Sequence, residues 1–137
     1  MRRVIRRPSP VAVLAAVREA VGAGTGRACV VDPDGRESPL YWVELVGSRP
    51  GQSKSARLDV FEVELHAVAP PARSQAAVLD MVAAAEEAME AWPDMAPPFR
   101  VVDVVEQGIR QVKVDESGEW HAVVAYDIAV SYGLICK

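Results

Sequence analysis

Hydrophobic positions recur along the chain with two different periods. Between residues 10 and 21, Val13, Leu14, Val17 and Val21 return every three to four residues, the spacing of one helix face. Ser9 and Pro10 supply a capping residue and a proline suited to a first turn, and Gly22 supplies a stop. A second helix is predicted over 74–91. Ser74 stands at its start, and Val78, Val82, Ala85, Met89 and Trp92 form its apolar stripe. Elsewhere the period is two. Residues 28–31 and 40–46 read as strands, the second rich in β-formers. Over 57–68, Phe61, Val63, Leu65 and Ala67 share one face, while Glu62, Glu64 and His66 share the other. Gln107-Gly108 predicts a tight hairpin turn between strands 99–106 and 109–115. The last strand is the clearest. Trp120, Ala122, Val124, Tyr126, Ile128, Val130 and Tyr132 point one way, and His121, Val123, Ala125, Asp127, Ala129 and Ser131 point the other. Both of its faces are partly apolar, which places it inside a sheet or under a partner.

These elements predict a single α+β domain over 9–137, with two helices packed on an antiparallel or mixed β-sheet. Residues 1–8, with four arginines, are read as a flexible basic arm. Such an arm is either solvated or docks on an acidic neighbour or nucleic acid, and no aromatic-interleaved nucleic-acid motif accompanies it. Residues 47–56 are polar, without an apolar anchor, and read as a mobile loop. No internal repeat or interdomain linker is visible.

A length of 137 residues suits one core rather than two, and half the residues are hydrophobic. The longest apolar runs fall far short of a membrane span, and Arg18-Glu19 interrupts any secretory apolar segment near the start. Cys29 and Cys136 read as reduced, small hydrophobic residues rather than a disulfide scaffold. The net charge of -4 conceals a division. Residues 1–57 hold ten Lys/Arg against five Asp/Glu, and residues 58–137 hold five against fourteen. A split of this kind suits a charged partner or self-association.

Candidate chemistry is thin. Gly22, Gly24 and Gly26 imitate part of a dinucleotide fingerprint, but they follow a helix and precede a strand, the reverse of what that motif needs. No serine has a nucleophile-elbow context, and neither cysteine sits in an electropositive niche. Glu62, Glu64 and His66, joined by His121 from another strand, are residue types that ligate divalent metals. Alternate polar residues are the default on an exposed strand face, so the simpler reading is a solvated face or a polar interface. No catalytic residue, cofactor or metal is assigned.

The whole layout carries a resemblance. An N-terminal helix leads to the segment Pro39-Leu-Tyr-Trp-Val-Glu-Leu45, then a Gly/Ser/Lys loop and the strand Leu58-Asp-Val-Phe-Glu-Val-Glu-Leu65. An Ala-rich helix ending in Ala88-Met-Glu-Ala91, a hairpin and the closing Tyr126-Asp-Ile-Ala-Val-Ser-Tyr132 follow. From Ser9 to Tyr132 this order resembles the small tail terminator (tail completion) proteins of long-tailed bacteriophages and related prophages.

The resemblance implies a non-enzymatic virion protein, assembled in the host cytoplasm. It forms a ring, expected to be a hexamer, at the head-proximal end of the tail tube. The ring ends tube polymerisation and meets the head–tail connector or stopper, and DNA passes through its bore without specific binding. It implies no membrane partner. A heterologous ring interface needs two complementary patches. Arg49, Lys54 and Arg57 are expected to meet acidic residues of a neighbouring subunit or the tube, and Glu62 and Glu64 to face the bore, where they would repel phosphate. His66 belongs to the same polar face. The alternatives are another neck protein, such as a stopper or connector, or a small monomeric metal- or ligand-binding α+β domain.

Overall fold

The computed structural model describes residues 6–134; the start of the arm and Cys136 lie outside that range. The chain runs through α1 (Pro10–Thr25), β1 (Cys29–Val30), β2 (Leu40–Pro50), β3 (Ala56–Ala69), α2 (Ala76–Met89), β4 (Arg100–Val114) and β5 (Trp120–Leu134). The sheet order is β1-β2-β3-β5-β4. Only the β1–β2 pair is parallel, so the sheet is mixed. Both helices lie on one face of the sheet and touch each other. The α+β class and the inner position of β5 follow the sequence pattern.

The core forms between the helices and one face of the sheet. Val13, Val17 and Val21 of α1 meet Val78, Val82, Ala85 and Met89 of α2 and the inward alternation of β2, β3 and β5. The core-facing residues of β3 and β5 are those given by the period of two: Phe61, Val63 and Leu65, with Val124, Tyr126 and Ile128. The Tyr41 hydroxyl donates to the Met81 carbonyl across 2.6 Å, tying β2 to α2. Among the described residues no helix is long and apolar enough to cross a membrane.

Three boundaries differ from the sequence reading. Helix α1 continues past Gly22 to Thr25 and stops where Gly26 takes φ +70 and its N–H bonds the Gly22 carbonyl. The low helix propensity of glycine is overridden because Gly24 sits against Ala88 of α2, where a side chain would not fit. Helix α2 is shorter than predicted: Trp92 lies beyond it with φ +58 and is 42% exposed, so it is not part of the buried stripe. The polar stretch from residue 47 is not all loop. Gly47 to Pro50 pair with Glu62 to Asp59, which leaves 51–55 as the connection.

The predicted hairpin at Gln107-Gly108 is absent, because one continuous strand, β4, runs through it alongside β5. Gly108, at φ +90, is accommodated beside a register shift between Glu106 and Gly108. A positive-φ glycine serves a bulge as well as a turn, and β5 is long enough to pair with both halves.

Candidate functional site

With both helices on one side, the other face of the sheet is open. Antiparallel register brings its polar residues together: Trp42 lies opposite His66, Glu44 opposite Glu64, and Glu62 opposite Asp127. Two separate arrangements result.

The first centres on His66, which is only 6% exposed. The Trp42 indole stacks on its ring at 3.6 Å with 9° between planes. Nε2 of His66 lies 2.8 Å from Glu44 Oε1, and Nδ1 lies 2.8 Å from Nε2 of His121. Both ring nitrogens are therefore engaged, one by a carboxylate and one by a second imidazole. Burial pushes the His121 pKa below its ordinary value, and the nearby His66 and Lys113 push it the same way. A neutral His121 can then accept, at Nε2, a hydrogen bond from His66 when His66 carries a proton on Nδ1. Glu44, Glu64 and His66 could together hold a metal, since their ligand atoms lie within 4.8 Å of one another.

The second arrangement centres on Arg49. Its Nη1 donates to Glu62 Oε1 at 2.6 Å and its Nη2 to Asp127 Oδ2 at 3.1 Å. Gln107 Nε2 also donates to Asp127 at 3.2 Å. The hydrogen bond to Asp127 is the largest influence raising the Arg49 pKa, with the neighbouring negative charge of both carboxylates adding to it. These residues, with Glu64 and Arg110, line a shallow cavity of about 410 Å³.

The six residues singled out by sequence therefore divide. Glu62, Glu64 and His66 do share one face. Arg49 joins them by folding back onto Glu62 of its own chain. Lys54 and Arg57 stand apart, exposed at the end of the β2–β3 hairpin beside a cavity of about 570 Å³ that Tyr132 and Leu58 also line. Other participants escaped the sequence reading. Glu44 and Trp42 lie on a strand whose alternation marks them as outward-facing, but nothing local names His66 as their partner. Asp59 stands on the core side of β3, where a carboxylate is out of place, and it is buried. Arg7 resolves it with a paired contact, its Nε donating at 3.0 Å, while its guanidinium lies over the Tyr132 ring.

A further acidic pair lies on the helix side. Glu106 of β4 hydrogen-bonds Glu86 of α2, and that bond, with partial burial and mutual repulsion, pushes the Glu106 pKa up to about 7. Burial pushes the Cys29 thiol up to about 12 despite the opposing charge of Arg18, so it is no ready nucleophile.

Comparison with known proteins identifies this architecture. No curated protein sequence matches the chain. One similar solved chain comes from a structure described as "Virion of native gene transfer agent (GTA) particle". It superposes with a TM-score of 0.61 at 18% identity, covering 88% of this chain and 96% of that one. At that identity the likeness is one of fold. The model of a phage tail terminator family, described as "Putative tail termination protein", matches residues 4–137. The chain therefore belongs to this phage tail terminator family and is a structural protein of the virion tail or neck.

Proposed function

We propose that the protein forms a ring at the head-proximal end of a tail tube, stops tube growth there, and joins the tail to the head connector. The observation that carries this reading is the family match across nearly the whole chain, over residues 4–137. The fold is compatible with a head-to-tail ring, because its two sheet edges differ. Strand β4 offers a 15-residue edge, whereas β1 at the opposite edge has two residues. Unlike edges suit a heterologous contact between copies better than a two-fold one.

Within this proposal Lys54 and Arg57 reach acidic residues of a neighbouring subunit or of the tube. Arg49 plays a different part from theirs: its bonds to Glu62 and Asp127 hold the end of β2 in place. Glu62 and Glu64 face the bore, where negative side chains keep transiting DNA from adhering. A ring of six subunits is the expected copy number.

Mixing the purified protein with polymerising tail tube protein and imaging the products tests the function. Tubes of limited length, capped at one end, are expected. Lys54→Glu/Arg57→Glu should leave the monomer folded and abolish capping. Tubes that grow uncapped with the unaltered protein, and attachment to a head connector instead, would point to a different neck component.

A further inference from the structure

The open face carries two carboxylate pairs held directly opposite each other by the sheet register, Glu44 with Glu64 and Glu62 with Asp127. Like charges directly opposite on neighbouring strands are destabilising. For Glu62 and Asp127 the fold supplies its own cation, since Arg49 bridges the two. Among the described residues, neither Glu44 nor Glu64 forms an ion pair with a lysine or arginine, and His66 is the basic group between them. Among the described residues the second pair therefore has no lysine or arginine bridging its carboxylates.

The surroundings of His66 are those of a metal-binding imidazole. A ligating histidine usually donates its second N–H to a fixed acceptor, which sets the tautomer and ring orientation. His66 presents Nε2 towards Glu44 and has Nδ1 against His121 Nε2 at 2.8 Å. Trp42, stacked at 3.6 Å, fixes the plane of the ring. The donor atoms of Glu44, Glu64 and His66 already lie within 4.8 Å of one another. Metal–ligand bonds of about 2.0–2.2 Å require only that two flexible glutamate side chains draw in. The ion would take the place of the direct contact between His66 Nε2 and Glu44.

We propose that Glu44, Glu64 and His66 form a binding site for one divalent transition metal, of the zinc class, on the open face of the sheet. The imidazole with two carboxylates favours zinc over magnesium or calcium, which prefer all-oxygen sites. Three protein ligands leave one position for water, and the Glu44 side chain, 44% exposed, gives the ion a route in from solvent. His121 is a positioning residue that holds His66. The proposal does not depend on ring formation, and a bound ion would offset the charge of Glu44 and Glu64, leaving Glu62 and Asp127 as acidic groups of that face.

The test is calorimetric titration of the chelator-stripped full chain with zinc chloride, with magnesium chloride as comparison, followed by the absorption spectrum of the cobalt-substituted protein. One zinc per chain is expected, with much weaker magnesium binding, and a cobalt spectrum without a thiolate charge-transfer band. Glu44→Gln/Glu64→Gln should abolish the binding. His121→Ala should weaken it by about 10–100-fold. Glu62→Gln, on the same face but paired with Arg49, should leave it unchanged. Circular dichroism of each variant confirms folding, and the cobalt spectrum of the unaltered protein stands even where a variant misfolds. Absence of zinc binding, binding retained in the double variant, or a thiolate band from cysteine ligation would each overturn the proposal.

Discussion

Replacing Gly24 with alanine tests the close approach of α1 to α2. A Cβ on Gly24 would lie 2.4 Å from the Cβ and 2.9 Å from the Cα of Ala88. Carbon atoms rest at about 3.5–4.0 Å, so α1 and α2 would have to part by about 1 Å, or the last turn of α1 would have to unwind. Overpacking of this kind costs about 1–3 kcal/mol. Alanine returns about 1 kcal/mol over glycine in a helix, which leaves a net destabilisation of about 0–2 kcal/mol. Gly22, two residues earlier in the same helix, is the control. Its added Cβ would meet nothing nearer than the Arg27 carbonyl at 3.7 Å and the Cys29 Cβ at 4.0 Å. Gly22→Ala should therefore stabilise the protein by about 0.5–1 kcal/mol. Urea unfolding at constant slope reads both. Adding Ala88→Gly to Gly24→Ala should recover the packing component, giving a favourable coupling in the double-mutant cycle. Equal stabilisation by Gly22→Ala and Gly24→Ala would refute the reasoning, because the helices would then not be in contact through that glycine.

Two further outcomes follow from buried polar groups. Tyr41→Phe removes a buried hydrogen bond to the Met81 carbonyl and should cost about 1–2 kcal/mol. Tyr126→Phe removes a buried hydroxyl that has no hydrogen-bond partner among the described residues and should be neutral or stabilising; thermal unfolding of the two variants side by side checks the contrast. The Glu106 carboxyl, pushed up to about 7 beside Glu86, holds its proton more tightly folded than unfolded. Its favourable contribution is complete below the ordinary carboxylate range and is lost as pH rises through about 7. Because Glu106 is largely solvent-exposed, screening reduces the effect to about 1 kcal/mol. Glu106→Gln should flatten the fall in urea midpoint between acidic and alkaline pH, and an unchanged slope would remove Glu106 from the account.

Local pattern carried most of the architecture and little of the site. The faces of β3 and β5 could be read residue by residue, because a buried sheet face imposes a period of two on the strand itself. The path of β4 could not. Gln107-Gly108 satisfies a hairpin turn locally, and only the length of β5 beside it decides in favour of a bulge. The same limit applies to the open face. Glu62, Glu64 and His66 could be placed together because they share a strand, but Glu44 meets His66 across 22 positions of sequence and Arg7 meets Asp59 across 52. Those distances are closed by strand register and by packing of the chain start, neither of which leaves a local trace. Arg49 was legible as a cation but not as one already bound at home.

The edge strand β4 brings two opposed requirements together. A 15-residue edge presents unpaired backbone groups that any other strand could use, and Val105, Ile109 and Val114 lie exposed along it. Left unguarded, such an edge invites indiscriminate pairing. Three register shifts, at Val101/Asp103, Glu106/Gly108 and Ile109/Gln111, interrupt its regularity, and bulges of this kind twist an edge away from indiscriminate pairing. Glu106, Arg110 and Lys113 place charge of both signs on it. The exposed apolar residues could then contribute only against a surface that matches both the bent contour and the mixed charge. Within the proposed ring, β4 would be the selective side of the subunit contact, and the hairpin cations Lys54 and Arg57 would supply the long-range attraction that brings the partner to it.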